Sequence, residues 1–299
     1  MDLDDDYRAL RHDAGVVELA RDLLSAKGPD AASFLQGQLS QDVAGLAVGA
    51  SADSLLLQPQ GKVEALLRVT RVTTDELVLD VDGGWGEAVM ARLNRFKLRV
   101  RVDLAPLAWK CLALRGPRAR QVVADGGCEG LAIDVDWPGL VGVDLVGEAP
   151  VVPDAVRRCG VAAWEALRIE AGLPAMGSEL TERTIPAEAG VVDRTVSFTK
   201  GCFTGQELVA RIDSRGGNVP RHLRAVVVVG DAVPPVGAVV ESTEAKEVGA
   251  LTSVAWSPSL AATIALAYVR REVSPPAEVG LRWDKGAAAA TVRSLPLVD

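Results

Sequence analysis

The chain has 299 residues, 48% apolar, 24% charged and 4% aromatic, a profile that fits an ordinary globular protein and excludes wholesale disorder or a disulfide-stapled miniprotein. Its 32 basic and 40 acidic side chains leave a net charge of −8, so the basic excess with which proteins neutralise phosphates is missing and broad nucleic-acid binding is not expected. The acidic start MDLDDDYRAL is unlike an export signal, and the longest nearly uncharged apolar stretch, residues 260–269, is about half a membrane span, so a cytoplasmic protein with no membrane partner is expected.

Residues 21–27 (RDLLSAK) read as a strand entering Gly28-Pro29, after which DAASFLQGQL reads as a helix with Phe34, Leu35 and Leu39 on one face. VEALLRVTRV and LVLDVD read as strands about the turn TTDE, followed by a helix in GWGEAVMARLNRF and a strand in KLRVRVDL. This ββαβ order predicts antiparallel sheets with helices packed on one face, an α+β fold rather than a doubly wound one. At 109–114 (WKCLAL) the same grammar returns, a strand running through Gly116-Pro117 into the helix RARQVVAD, which hints at two related half-modules. No GxGxxG or Walker A sequence supports a nucleotide fold. After Pro220, short β-branched runs divided by Gly and Pro predict a separate all-β barrel or sandwich over residues 221–299. The preceding 1–220 is expected to be a two-lobed α+β body, with lobe boundaries near 20–30, 103–115 and 150–160 and a chain that crosses between lobes.

Four cysteines, Cys111, Cys128, Cys159 and Cys202, form no CxxC pair, and His12 and His222 have no partner at motif spacing, so no metal site is expected. The most informative segment is FTKGCFTGQELVARI (198–212). Thr204 and Glu207 have the spacing of a capping box, with Phe203 and Leu208 as a hydrophobic staple, so a helix is predicted from Gly205. Cys202 would then lie beside the positive end of that helix with Lys200 two residues upstream, both of which favour thiolate. A small buried hydrophobe before an ordinary helix is the other reading of Cys202. In AWEALRIEAGLP (163–174), a helix stopped by Gly172 and Pro174, Arg168 and Glu170 flank the apolar stripe where a side chain can line a cleft; a solvated Glu165–Arg168 pair is the plainer alternative. QPQGK (58–62) is a Pro/Gly turn carrying Lys62, one of only seven lysines, and is otherwise a hairpin tip.

Taken together and in order, FLQGQLSQDV (34–43), QPQGKV (58–63), LRIEAGLP with Gly177 and Glu179, KGCFTGQE (200–207) and VGALTSVAWSP (248–258) resemble the YgfZ family of folate-binding proteins, within the superfamily of the glycine-cleavage T protein. The resemblance implies a three-lobed body about a central channel for tetrahydrofolate or a reduced derivative, and a C-terminal barrel. It also implies a role in iron–sulfur cluster assembly or repair, with assembly or client proteins as partners, and a link to tRNA modification. By the same resemblance Cys202 and Lys200 are the functional pair and Glu170 holds the pterin ring, its carboxylate accepting from the 2-amino and ring N–H groups. Arg211, Gln206, Glu207, Arg168 and Lys62 are further candidates for binding the cofactor. T proteins carry an aspartate pair after the glycine turn, where this chain reads Gly61-Lys62-Val63-Glu64-Ala65-Leu66, which puts aminomethyl transfer in doubt. A folate-dependent one-carbon transferase or demethylase and a non-catalytic folate-sensing scaffold remain as alternatives.

Overall fold

The computed structural model describes residues 2–298. Helix α1 (Leu3–His12) is capped by Asp2, whose side chain accepts from the Asp4 N–H, and carries aspartates in its first turn and Arg11-His12 in its last, charges placed as the helix dipole favours. Then come β1 (Gly15–Leu19), β2 (Arg21–Lys27), α2 (Ala31–Gln38), β3 (Ser51–Leu57), β4 (Val63–Arg71), β5 (Glu76–Asp82), α3 (Gly86–Phe96) and β6 (Asp103–Leu107). They are followed by β7 (Lys110–Arg115), α4 (Ala119–Ala124), β8 (Glu129–Trp137), β9 (Leu140–Val151) and β10 (Arg157–Arg158). Four helices, α5 (Val161–Ala171), α6 (Pro186–Ala189), α7 (Val192–Thr195) and α8 (Gln206–Asp213), lead to β11 (Arg221–Val228), β12 (Val239–Glu241), β13 (Glu247–Ser257), β14 (Ala262–Arg270), β15 (Ala277–Trp283) and β16 (Gly286–Arg293).

Two five-stranded sheets result, ordered β3-β4-β5-β2-β6 and β10-β1-β7-β9-β8. All pairings are antiparallel except β1 against β10, as the ββαβ order requires. Of the two strand–Gly-Pro–helix units, β2–α2 lies in the first sheet and β7–α4 in the second. Phe34 and Leu35 of α2 and Val89 and Leu93 of α3 pack in one core with Leu67 and Leu79 of the first sheet. The chain changes sheet at Ala20 and again at residues 108–109. Leu23, Val78, Cys111, Ile133 and Val146 form an apolar seam between strands of the two sheets.

The last six strands close into a barrel, β11-β14-β13-β12-β15-β16, around Val226, Val240, Ala265, Leu281 and Val292. Closure leaves no free strand edge, which decides barrel over sandwich. One strand boundary differs from the reading of KLRVRVDL: residues 97–102 are irregular and β6 begins at Asp103. The Arg101 N–H donates to Asp30 Oδ2 at 2.8 Å, and Arg101 O accepts from the Asp30 N–H, so this segment is spent on the start of α2 before it can pair with β2.

Candidate functional site

Between the two sheets lies a cavity of about 400 Å³, within the range of small-molecule sites, roughly 300–1,000 Å³. Strand register builds one wall. Asp53 on β3 stands opposite Arg68 on β4, and Arg68 opposite Asp80 on β5, so alternating charges run across one face of the first sheet. Arg68 Nε donates to Asp80 Oδ2 at 2.8 Å and Nη1 to Asp144 Oδ2 at 2.8 Å, which ties β4 to β9 of the facing sheet. Arg115 Nη1 is 2.7 Å from the other Asp144 oxygen, and Arg21 pairs with Asp80 and Asp82. Three arginines thus meet three aspartates where an unpaired ion would be strongly penalised. Burial works to raise the Asp144 carboxyl, but Arg115 and Arg68 outweigh it and hold the group at about 2. The arginines also stack: Arg115 lies 5.1 Å from the Trp164 ring centroid and Arg194 5.0 Å from that of Trp137, giving the cavity flat, polarisable walls.

Helix α5 is the strut behind this cavity. Arg168 lines it, as the helical stripe predicts, but its donors are consumed. Nε and Nη2 reach Glu165, Nη1 reaches Leu173 O and Glu179 Oε2, and Nη2 also reaches Ser253 Oγ of the barrel at 2.8 Å. Arg168 therefore positions Glu165 on the cavity wall and cross-links the lobes, and has no free donor for a ligand. Glu179 completes the joint: its Oε1 accepts from Thr252 Oγ1 and Ser253 Oγ, both at 2.6 Å. Two consecutive strand residues can reach one carboxylate because the β13–β14 register slips between Leu251 and Ser253.

Glu170 lies elsewhere. It is fully buried and does not line the cavity. Its Oε2 is paired with Arg11 and lies 2.7 Å from Tyr7 Oη, both on α1, and its Oε1 accepts from Ser257 Oγ at 2.5 Å. A carboxylate this engaged has no edge left for a pterin, which corrects the role that the resemblance implied. The physical reason is the packing of α1 and the end of β13 over this side of α5.

Three separated motifs come together in a second region. Lys200 Nζ donates to the carbonyls of Gln36, Leu39 and Gln41 at 2.6, 2.7 and 2.9 Å, so the ammonium spends all three protons on the C-terminal end of α2, where a cation is favoured. Burial pushes Lys200 down to about 8, against the pull of Asp42. Gly205 and the turn at 58–62 meet so closely that a Cβ on Gly205, at φ 81°, would stand 2.5 Å from Gln58 O; glycine is required there. The helix that follows starts at Gln206, one residue later than expected, and Thr204 does not cap it. Gln206 Oε1 accepts from the Phe203 N–H instead, at 3.2 Å, because the left-handed Gly205 turns the chain before a capping box can form. Cys202 is the only exposed cysteine, with Cys111 and Cys159 buried and Cys128 half-buried. Burial, the largest cause, pushes Cys159 up to about 11 and raises Cys111 and Cys128 too. Glu207 and Arg211 are exposed and Lys62 half-buried. Neither this loop nor Lys62, Gln206, Glu207 and Arg211 line the cavity.

The wall after the glycine turn carries Leu66, which lines the cavity, whereas Glu64 is held 3.1 Å from Arg92 Nε of α3. Burial pushes the Glu64 carboxyl up, against Arg92. Asp53, Asp80, Asp144, Arg21, Arg115, Arg194 and Trp137 escaped the sequence reading, and Trp164 was expected only on the apolar stripe of its helix. The one available signal was Asp53 standing as the single charged residue of the strand SADSLLL.

Residues 2–130 match the GCVT N-terminal domain and residues 212–299 the glycine cleavage T-protein C-terminal barrel domain. The chain belongs to the T-protein superfamily. It is 28% identical to an aminomethyltransferase of Streptomyces avermitilis over 94% of this chain and 84% of that one. It is 29% identical to one of Moorella thermoacetica over 89% and 81%. An uncharacterized protein of Haemophilus influenzae is 28% identical over 66% of this chain and 67% of its own length. The crystal structure of glycine cleavage system aminomethyltransferase T from Bartonella henselae superposes with a TM-score of 0.86 at 25% identity, covering 99% of this chain and 89% of the other. Proteins of this superfamily bind tetrahydrofolate derivatives. The cavity's size, its stacked tryptophan–arginine walls and its carboxylates fit a flat, polar-edged pterin.

Proposed function

We propose that this protein is a tetrahydrofolate-binding member of the YgfZ type, acting in iron–sulfur cluster assembly or repair with Cys202 as its reactive group, and not an aminomethyltransferase. The observation that carries this reading is the cavity wall after Gly61. An apolar Leu66 faces the cavity where the T-protein pattern calls for an aspartate pair, and the nearest acidic substitute, Glu64, is engaged by Arg92. A one-carbon transfer needs a carboxylate within hydrogen-bond reach of the reacting amine; the stretch after Gly61 contributes none to the cavity. A reduced folate supplies a one-carbon carrier or reductant when bound. This chain encloses it between charged walls, while the exposed Cys202, held by the Lys200 clamp, is open to a protein partner. The KGCFTGQE motif supports the iron–sulfur assignment and the link to tRNA modification through cluster-dependent enzymes.

Calorimetric titration with tetrahydrofolate, followed by mass analysis of the recovered ligand, is expected to show binding without conversion. In cells lacking the protein, Cys202→Ser is expected not to restore the activity of cluster-dependent enzymes that the native chain restores. Restoration by the serine variant would remove the thiol from the account, and turnover of an aminomethyl-lipoyl donor would replace it with the transferase reading.

A further inference from the structure

Asp53 differs from the arginine-held acids around it. Asp80, Asp82 and Asp144 are held by Arg21, Arg68 and Arg115, and Glu165 by Arg168. The Asp53 carboxylate has one ionic neighbour, Arg194 Nη2 at 3.7 Å, and accepts no hydrogen bond among the described residues. Its side chain is 29% open, and Asp53 lines the cavity. Arg194 is fixed from behind by Asp136, which accepts from Nη2 at 2.7 Å, and lies over Trp137; its Nη1 has no partner among the described residues. A free acceptor pair, a neighbouring free donor and a flat indole therefore converge on one corner of the cavity.

Resting on the folate reading above, we infer that Asp53 accepts the 2-amino and N3–H groups of the pterin, with Arg194 holding Asp53 and Trp137 in place and offering Nη1 to the 4-oxo oxygen. The pyrimidine edge of a pterin presents donor, donor and acceptor in a row, which is the complement of a carboxylate beside a guanidinium. Glu170, the residue that the resemblance nominated, has both oxygens occupied outside the cavity. Burial pushes the Asp53 carboxyl up, while Arg68 and Arg194 pull it back toward the ionised form; a ligand donating two N–H groups would favour the ionised form further.

The test is titration of the full chain with tetrahydrofolate and with its 2-desamino analogue, for the native protein and Asp53→Asn. The variant gives up no hydrogen bond of the folded chain, so its melting temperature is expected to stay close to native. Tetrahydrofolate affinity is expected to fall about tenfold or more in Asp53→Asn, the usual cost of losing a charge-assisted pair. The analogue is expected to bind the native chain weakly and to lose little further on substitution, because the two changes remove the same contact. Native-like affinity of Asp53→Asn for tetrahydrofolate, or an equal further loss for the analogue, overturns the Asp53 assignment and leaves the folate reading standing. Failure of the native chain to bind tetrahydrofolate overturns the folate reading itself, and this assignment with it.

Discussion

The cavity between the sheets and the loop around Cys202 are held by opposite means. In the cavity, charges carried on rigid strands neutralise one another across two sheets, with Arg68 shared between Asp80 and Asp144. At the loop, one lysine grips three carbonyls and a glycine presses against a neighbouring turn, while the sulfur itself stays exposed. The first arrangement suits a pocket that must keep its shape without its ligand, since preorganised charges need no rearrangement when a polar guest arrives. The second suits a group that must be presented to another molecule, because exposure is kept and only the loop's ends are fixed.

That contrast breaks first at Arg68. Arg68→Met is expected to destabilise the fold by about 3–5 kcal/mol, the range for stripping one partner from a buried ion cluster, and to abolish folate binding with it. Urea denaturation measures the loss. Arg68→Lys keeps the charge but cannot span two carboxylates with a planar fork, and most of the loss is expected to remain. A fully stable Arg68→Met protein would mean that Arg21 and Arg115 suffice, and that the cavity owes its shape to the apolar seam.

At the loop the corresponding test is steric. Gly205→Ala and Gly216→Ala change residues of similar backbone, φ 81° and 74°, but an added Cβ at 205 meets Gln58 O at 2.5 Å, while at 216 nothing among the described residues beyond its chain neighbours lies within 4 Å. The second is expected to cost about 1 kcal/mol from the left-handed conformation alone, the first about 2–4 kcal/mol from conformation and backbone collision together. Denaturation of the pair reads the difference, and equal costs would show that the turn at 58–62 yields freely to α8.

The uneven legibility of the sequence follows from the same contrast. KGCFTGQE, QPQGK and FLQGQLSQD could be recognised because each works through local backbone: a glycine turn, a helix end, a lysine beside it. That they meet in one place is a matter of tertiary structure, but each part carried its own sign. Of the cavity charges only Asp53 carried one, as the single charged residue of its strand. Asp53, Arg68, Asp80 and Asp144 lie 15, 12 and 64 residues apart in succession, and become neighbours through strand register and the facing of two sheets, which no spacing encodes. Helical periodicity placed Arg168 on a cleft border correctly; it could not reveal Glu179 and Ser253, the distant groups that consume its donors, nor α1 lying over Glu170. The capping box failed because the spacing of Thr204 and Glu207 was right but the intervening Gly205 is left-handed, which sequence spacing does not report.

The mildest lever is pH, and it separates the two regions without a change of shape. Asp144 sits at about 2 in the folded chain against 3.8 as its ordinary value, burial being outweighed by Arg115 and Arg68. A carboxylate depressed on folding stabilises the fold fully above its ordinary value, and that stabilisation drains away as pH falls through the folded one. Between about pH 4 and pH 2 the native chain is therefore expected to lose about 2 kcal/mol that Asp144→Asn, already destabilised at neutral pH, does not lose. Urea midpoints across that window measure it against other carboxylates, which titrate in both proteins. Parallel curves would mean that Asp144 exchanges its proton with water as readily folded as unfolded. The cavity's charges would then be ordinary surface pairs, and the loop and the pocket would differ in exposure but not in kind.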